Sequence, residues 1–142
     1  MNILVIDGMG GGVGKAIIER LRAAKEDWII TAVGTNTAAT SAMLTAGAHQ
    51  AATGENAVIY NCARADCIIG PMGILLANAM LGEISPGIAN AVSASQAKKI
   101  LVPTTRCNAV VVGTADLPLA KYLDEIPAIL RKLDPIFPPG SY

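Results

Sequence analysis

The chain has 142 residues, of which 52% are apolar and 15% charged, with 11 Lys and Arg balancing 11 Asp and Glu. So greasy a composition, against about 25% charged residues in an ordinary domain, excludes disorder over most of the length. The zero net charge excludes a dedicated nucleic-acid binder, which would carry a basic excess.

In chain order, short buried-strand runs alternate with helical patterns. Ile3-Leu4-Val5-Ile6 reads as a buried strand ending at Asp7-Gly8. Val13, Ile17, Leu21 and Ala24 then recur at helical spacing, with Lys15, Glu19, Arg20 and Arg22 off the stripe. Trp28–Val33 is a second strand, stopped by Gly34. Asn36 or Thr37 can cap a helix reaching Ala46, with Gly47 as its C′ residue. Ala48–Ala52 suits a short third strand, and Glu55–Cys62 fits either helix or strand. Asp66–Ile69 is strand-like and stops at Gly70-Pro71. Ser85-Pro86 starts a helix running to about Ala97. Lys99–Val102 and Ala109–Val112 are two further strands, ended by Pro103 and Gly113. Leu119, Tyr122, Leu123, Ile126, Ile129, Leu130 and Leu133 make a helical stripe that Pro127 divides. Strands alternating with helices imply right-handed crossovers. The expectation is a three-layer, doubly wound, Rossmann-like α/β domain over residues 1–134. Its mostly parallel sheet would have five to six strands, and residues 135–142 form a proline-rich tail.

No membrane or export segment is expected. The longest weakly polar run, Ile68–Leu81, is broken by Gly70, Pro71, Gly73 and Asn78, and falls short of the ~18 residues a span requires. The first seven residues lack a basic region and reach Asp7 too soon for a signal peptide. Cys62, Cys67 and Cys107 lack metal-type spacing, and His49 is the single histidine. A reduced, cytoplasmic protein without a metal site is expected. The apolar excess points to surface covered by another copy, in a homo-oligomer such as a dimer or tetramer.

The richest segment is Asp7-Gly8-Met9-Gly10-Gly11-Gly12-Val13-Gly14-Lys15. It joins a buried strand to an amphipathic helix. Glycines let backbone N–H groups approach a ligand closely, and the helix N-terminus carries partial positive charge. A phosphate or pyrophosphate suits this place. The G-x-G-x-x-G spacing fails, but G-x-x-x-G-x-G fits Gly8, Gly12 and Gly14. That spacing resembles the cofactor loop of short-chain dehydrogenases and implies a Rossmann-type site for NAD or NADP over the first strand, loop and helix. Asp7 stands where that family usually has a small neutral residue. The family's Tyr-x-x-x-Lys is missing: Arg64 follows Tyr60 at that distance, and Ile126 follows Tyr122. Gly10–Ala16 also looks like the deviant Walker motif of partition-type ATPases, with Gly10 in place of the signature lysine and Ala16 in place of the Mg²⁺-holding hydroxyl.

Ligands of doubly wound sheets sit at the carboxyl ends of the strands. Thr35 and Asn36 follow the second strand and can hydrogen-bond a ribose or base, or cap the next helix. Gly70, Pro71, Met72 and Gly73 make a stiff turn able to cover a base. Arg106, after the fifth strand, can hold a phosphate or carboxylate. The candidate cofactor-binding set is therefore Asp7, Gly8, Gly10, Gly11, Gly12, Val13, Gly14, Lys15, Thr35, Asn36, Gly70, Pro71, Met72, Gly73 and Arg106. Glu55 and Cys107 have no assigned role, Glu83 serves only in the reductase alternative, as a polar anchor with Arg106 for a substrate between subunits, and no catalytic group is assigned.

Ile6-Asp7-Gly8 with the glycine run, Gly34-Thr35-Asn36, Thr40–Leu44, Ala52–Ala57, Ile69–Gly73, Met80-Leu81-Gly82-Glu83 and Arg106-Cys107-Asn108 together resemble a small bacterial family known as domain of unknown function 3842. The resemblance spans nearly the whole chain. It implies one compact bacterial domain and supplies no activity. The resulting expectation is a nucleotide binder, NAD or NADP favoured, in a sensing or accessory role. The alternatives are a small NAD(P)-dependent reductase acting as an oligomer, a Mg²⁺-dependent P-loop-like enzyme acting on phosphates, and a structural oligomer with an empty loop.

Overall fold

A computed structural model describes residues 1–104 and 108–134. Five strands form one parallel sheet: β1 (Asn2–Asp7), β2 (Ile29–Gly34), β3 (Gln50–Thr53), β4 (Cys67–Pro71) and β5 (Lys98–Val102). Their spatial order is β3-β2-β1-β4-β5. The helices are α1 (Gly12–Ala23), α2 (Thr37–Thr45), α3 (Glu55–Cys62), α4 (Pro86–Ala94), α5 (Leu119–Asp124) and α6 (Ile126–Leu133), with a 3₁₀ turn at Met72–Leu75. This is the doubly wound Rossmann-like architecture, with its switch point between β1 and β4.

Strand alternation assigns the two faces. Ile3, Val5, Ile30, Ala32, Cys67 and Ile69 point toward α1, α2, α5 and α6, meeting Ile17, Leu21, Met43, Leu123, Ile126 and Leu130. Leu4, Ile6, Val33 and Ile68 point the other way, toward Val58, Ile74, Ile84, Ile88 and Val92. Both faces of the central strands are buried, so these strands read as unbroken apolar runs. Fully burying each such aliphatic side chain contributes roughly 1.5–3 kcal/mol before chain entropy is counted.

The boundaries refine the sequence reading. Glu55–Cys62 is a helix, capped by Gly54 at φ 105°. β4 continues through Gly70 and Pro71, because Gly70 lets β4 and β1 approach: a Cβ there would lie 2.5 Å from the Ile6 carbonyl oxygen. Ser85 caps α4 as expected, its Oγ accepting from the Ile88 amide, but the helix ends at Ala94. Pro127 sits in the first turn of α6, where a proline removes no helical hydrogen bond, so the stripe divides ahead of it.

One strand expectation is corrected. Ala109–Val112 is not a strand, and no sixth strand occurs among the described residues. The run has strong β-propensity, yet Val110 and Val112 are 93% and 97% exposed. Propensity makes a strand only where a neighbouring strand pairs with it, and none of the five strands pairs with this run. The tail at 135–142, Arg106 and Cys107 lie outside the described residues.

Candidate functional site

The glycine loop crosses the carboxyl end of β1, and α1 begins at its far side. Gly11 is the N-cap of α1, in the left-handed region at φ 74°. A Cβ there would lie 2.8 Å from the Cα of Ala39, so both backbone angle and space require glycine. No side chain caps α1 from the cap position itself. Asp7 does so from below. It is 4% exposed, and its carboxylate accepts the Gly8 amide at 2.8 Å and the Gly14 amide at 2.7 Å. Burial pushes this carboxyl above its ordinary 3.8. The amides of Gly14, Gly8 and Val13 oppose that push, and the charge of Glu83 adds to it.

The inner half of the cradle is thus filled by the chain's own carboxylate. Met9, at φ 53°, turns its amide toward a second one. Both Glu83 oxygens lie 3.2 Å from the Met9 nitrogen. Oε1 of Glu83 also accepts the Thr35 hydroxyl at 2.7 Å and Asn36 Nδ2 at 2.6 Å. These donors, the Thr35 hydroxyl first, hold the Glu83 carboxyl below its ordinary 4.5. Thr35 and Asn36 follow β2 directly. Glu83 therefore brings an acid to the strand end where a dinucleotide site usually keeps one for ribose hydroxyls, although it arrives from a different part of the chain.

Asn36 has two tasks at once. Its Oδ1 accepts the Ala39 amide and caps α2, while its Nδ2 donates to the Met9 carbonyl and to Glu83. Gly8 is held bare by the same cluster: a Cβ would lie 2.6 Å from Thr35 Oγ1 and 2.9 Å from Met80 Sδ.

The outer lip of the loop is open. Gly10 and Gly12 are exposed, and a Cβ at either would meet nothing within 4 Å. Among the described residues no acceptor takes their amides. Lys15, one turn into α1, is exposed as well. Of the expected set, the structure brings Asp7, Gly8 and Gly10–Lys15 together with Thr35 and Asn36. Gly70, Pro71 and Gly73 are buried beside them, and Met72 is half-buried. Arg106 lies outside the described residues. Glu83 is expected at most as a substrate anchor of the reductase alternative, and its place against Met9, Thr35 and Asn36 is not foreseen. It meets Met9 across 74 positions, and no local pattern signals that meeting.

Glu83 is carried by a tightly wound segment. Asn78, Met80, Leu81 and Gly82 have φ values of 68°, 57°, 57° and 91°. Left-handed backbone at Met80 and Leu81 costs energy that the surroundings must offset. Leu81, 94% exposed, gives nothing back by burial. The Glu83 bonds and the burial of Ile84 hold the segment in place.

A separate open groove of about 710 Å³ lies on the α3 face of β2 and β3. Tyr60 and Arg64 line it, the guanidinium carbon 3.6 Å from the ring centre. None of the expected site residues borders this groove, and it contains no acid. Among the described residues no cluster of three or more His, Cys, Asp or Glu could hold a metal ion, and no helix is long and apolar enough to cross a membrane.

The family model for domain of unknown function (DUF3842) matches residues 2–134. The chain belongs to that family. No curated protein matches it. Among solved structures, it is similar to apo histidine-tagged saccharopine dehydrogenase (L-Glu forming) from Saccharomyces cerevisiae, with 15% identity and a TM-score of 0.46. That match covers 94% of this chain and 24% of the dehydrogenase, so this chain spans about a quarter of that protein's length. It is also similar to a dodecameric FMN-dependent UbiX-like decarboxylase from Escherichia coli O157:H7, with 17% identity and a TM-score of 0.46, over 92% of this chain and 75% of the other.

Proposed function

We propose that this DUF3842 chain binds a nucleotide, NAD or NADP, at the outer lip of the glycine loop, in a sensing or accessory role. The observation that carries the reading is the pair of unclaimed, exposed amides at Gly10 and Gly12. They lie at the N-terminus of a twelve-residue helix, on the carboxyl edge of β1, beside the switch point. A phosphate there gains the helix-end field, with the Lys15 ammonium one turn away.

Asp7 serves the loop rather than a cation in this reading, since its oxygens already accept amides inside the turn. That arrangement favours a dinucleotide loop over the Mg²⁺-dependent P-loop alternative. Glu83 supports NAD over NADP. Among the described residues its Oε2 accepts only the shared Met9 amide, which leaves lone pairs for a ribose diol. A 2′-phosphate would meet a carboxylate instead.

Calorimetric titration with NAD, NADP, and ATP plus Mg²⁺ tests the reading. Saturable binding of NAD without metal, tighter than that of NADP, supports it. Heat only with ATP plus Mg²⁺ replaces it with the P-loop alternative, and no heat with any of them removes it.

A further inference from the structure

The α3 face of the sheet is covered only in part, and what lies bare there is polar. On β2, Val33 is buried with Val58 of α3, whereas Thr31 is half-buried. Thr31 pairs in register with Gln50 of β3, and Gln50 Nε2 donates to its Oγ1 at 2.8 Å. These two side chains belong to the floor of the groove of about 710 Å³, and α3 is its wall. A floor buried under a packed helix would carry aliphatic residues such as those of β1 and β4. A hydroxyl and a carboxamide suit a polar guest instead, and the groove falls within the ~300–1,000 Å³ of small-molecule sites.

Asn56, Tyr60 and Arg64 recur at four-residue spacing along the wall. Arg64 is fixed in two ways. Its Nη1 donates to the Tyr60 carbonyl at 2.7 Å, and its guanidinium carbon lies 3.6 Å from the centre of the Tyr60 ring. Among the described residues its Nε and Nη2 meet no acceptor, and no carboxylate pairs with it. Arg64 is also the one charged side chain among the described residues that line the groove. A guanidinium held this way offers the parallel N–H groups of its Nε–Nη2 edge to an oxyanion. Further along, the Asn56 carboxamide and the Tyr60 hydroxyl have no partner among the described residues. Gln50 and Asn61 donate to Thr31 and to the Ala57 carbonyl, and each keeps an acceptor oxygen.

We propose that this groove binds a small hydroxylated organic carboxylate, at a site separate from the glycine loop. The carboxylate lies on the Nε–Nη2 edge of Arg64. The hydroxyls reach the open oxygens of Gln50 and Asn61, and the Asn56 carboxamide one helical turn, ~6 Å, beyond Tyr60. Charge selects the class of anion. Arg64 stands just past the C-terminal end of α3, where a helix carries partial negative charge, so a singly charged carboxylate fits better than a phosphate dianion. Position separates the two sites. Arg64 is in the connection from α3 to β4, at the amino edge of the sheet, and the glycine loop crosses the carboxyl edge. The proposal therefore does not rest on the nucleotide reading.

Amide NMR of the full chain, titrated with gluconate, tests the proposal. Gluconate at up to ~20 mM, the range in which a molecule of that size binds as a fragment, should shift the signals of Gln50, Asn56, Tyr60 and Arg64 saturably. Sorbitol, which carries a CH₂OH group in place of the carboxylate, should leave them in place, and inorganic phosphate should bind more weakly than gluconate. Arg64→Gln, at an exposed position, should keep the remaining spectrum and bind gluconate about tenfold more weakly, the usual loss with a charged hydrogen bond. No response to gluconate, an equal response to sorbitol, tighter binding of phosphate, or unchanged affinity in folded Arg64→Gln each overturns the proposal.

Discussion

The carboxylate of Glu83 lies 2.6 Å from Nδ2 of Asn36 and ties the segment after β4 to the turn after β2, across the mouth of the glycine loop. The same oxygen accepts the Thr35 hydroxyl, and both oxygens share the Met9 amide. One side chain therefore joins three loops at the carboxyl edge of the sheet. Glu83→Gln keeps the shape and one acceptor oxygen for Thr35 and Asn36, but removes the charge and turns a donor toward the Met9 amide. The variant should narrow the preference for NAD over NADP about fivefold, the effect of ~1 kcal/mol between like charges ~4 Å apart in a water-like medium. Competition binding with the two dinucleotides checks this. An unchanged ratio would place the ribose elsewhere.

Asp7 predicts a pH effect. Its folded-state carboxyl holds its proton more tightly than the ordinary 3.8. The native state therefore binds more protons than the unfolded chain between 3.8 and the raised value, and stability falls as pH rises through that window. Glu83 acts in the opposite sense: its contribution is present above 4.5 and is lost as pH falls through its lowered value. Asp7→Asn removes the first effect. It also turns an amide donor toward the Gly8 or Gly14 N–H, costing about 1–3 kcal/mol at pH 7. Urea unfolding from pH 4 to 7 should show a lower but flatter stability curve for the variant.

The glycines of the loop should separate by role. A Cβ at Gly14 would lie 2.5 Å from Met43 Sδ and 2.9 Å from the Cβ of Asp7. Gly14→Val should destabilise by about 1–3 kcal/mol through overpacking. Gly12→Val meets open space and should cost only the smaller penalty of a branched residue in the first turn of a helix. Thermal unfolding of the two variants distinguishes them.

The alternation of apolar runs and helical stripes made the parallel sheet legible, since strands such as Leu4-Val5-Ile6 are buried on both faces. The glycine loop and the Asn36 cap were legible too, because turn and cap chemistry is local. Two features were not. The Val110–Val112 run has the composition of a strand but pairs with none of the five strands. Pairing depends on a neighbour that composition does not name. Glu83 meets Met9 only through the left-handed backbone at Met80 and Leu81, residues whose types do not announce that conformation.

Cys62 and Cys67 are buried. Burial pushes their thiols up to about 11 and about 12, with nearby Lys99 partly offsetting the effect at Cys62 and Asp66 adding to it at Cys67. In a Cys107→Ser background, a disulfide reagent at pH 8 should leave both unmodified until denaturant is added. Rapid labelling of the folded variant would show that the core opens readily at α3 or β4.

The nucleotide reading is tested most directly by thermal unfolding of the wild type and Gly12→Val with and without NAD. NAD should stabilise the wild type by about 2.7 kcal/mol at 100 times the dissociation constant, and a folded Gly12→Val not at all. A wild type indifferent to millimolar NAD and NADP, or a variant stabilised as much as the wild type, would contradict it.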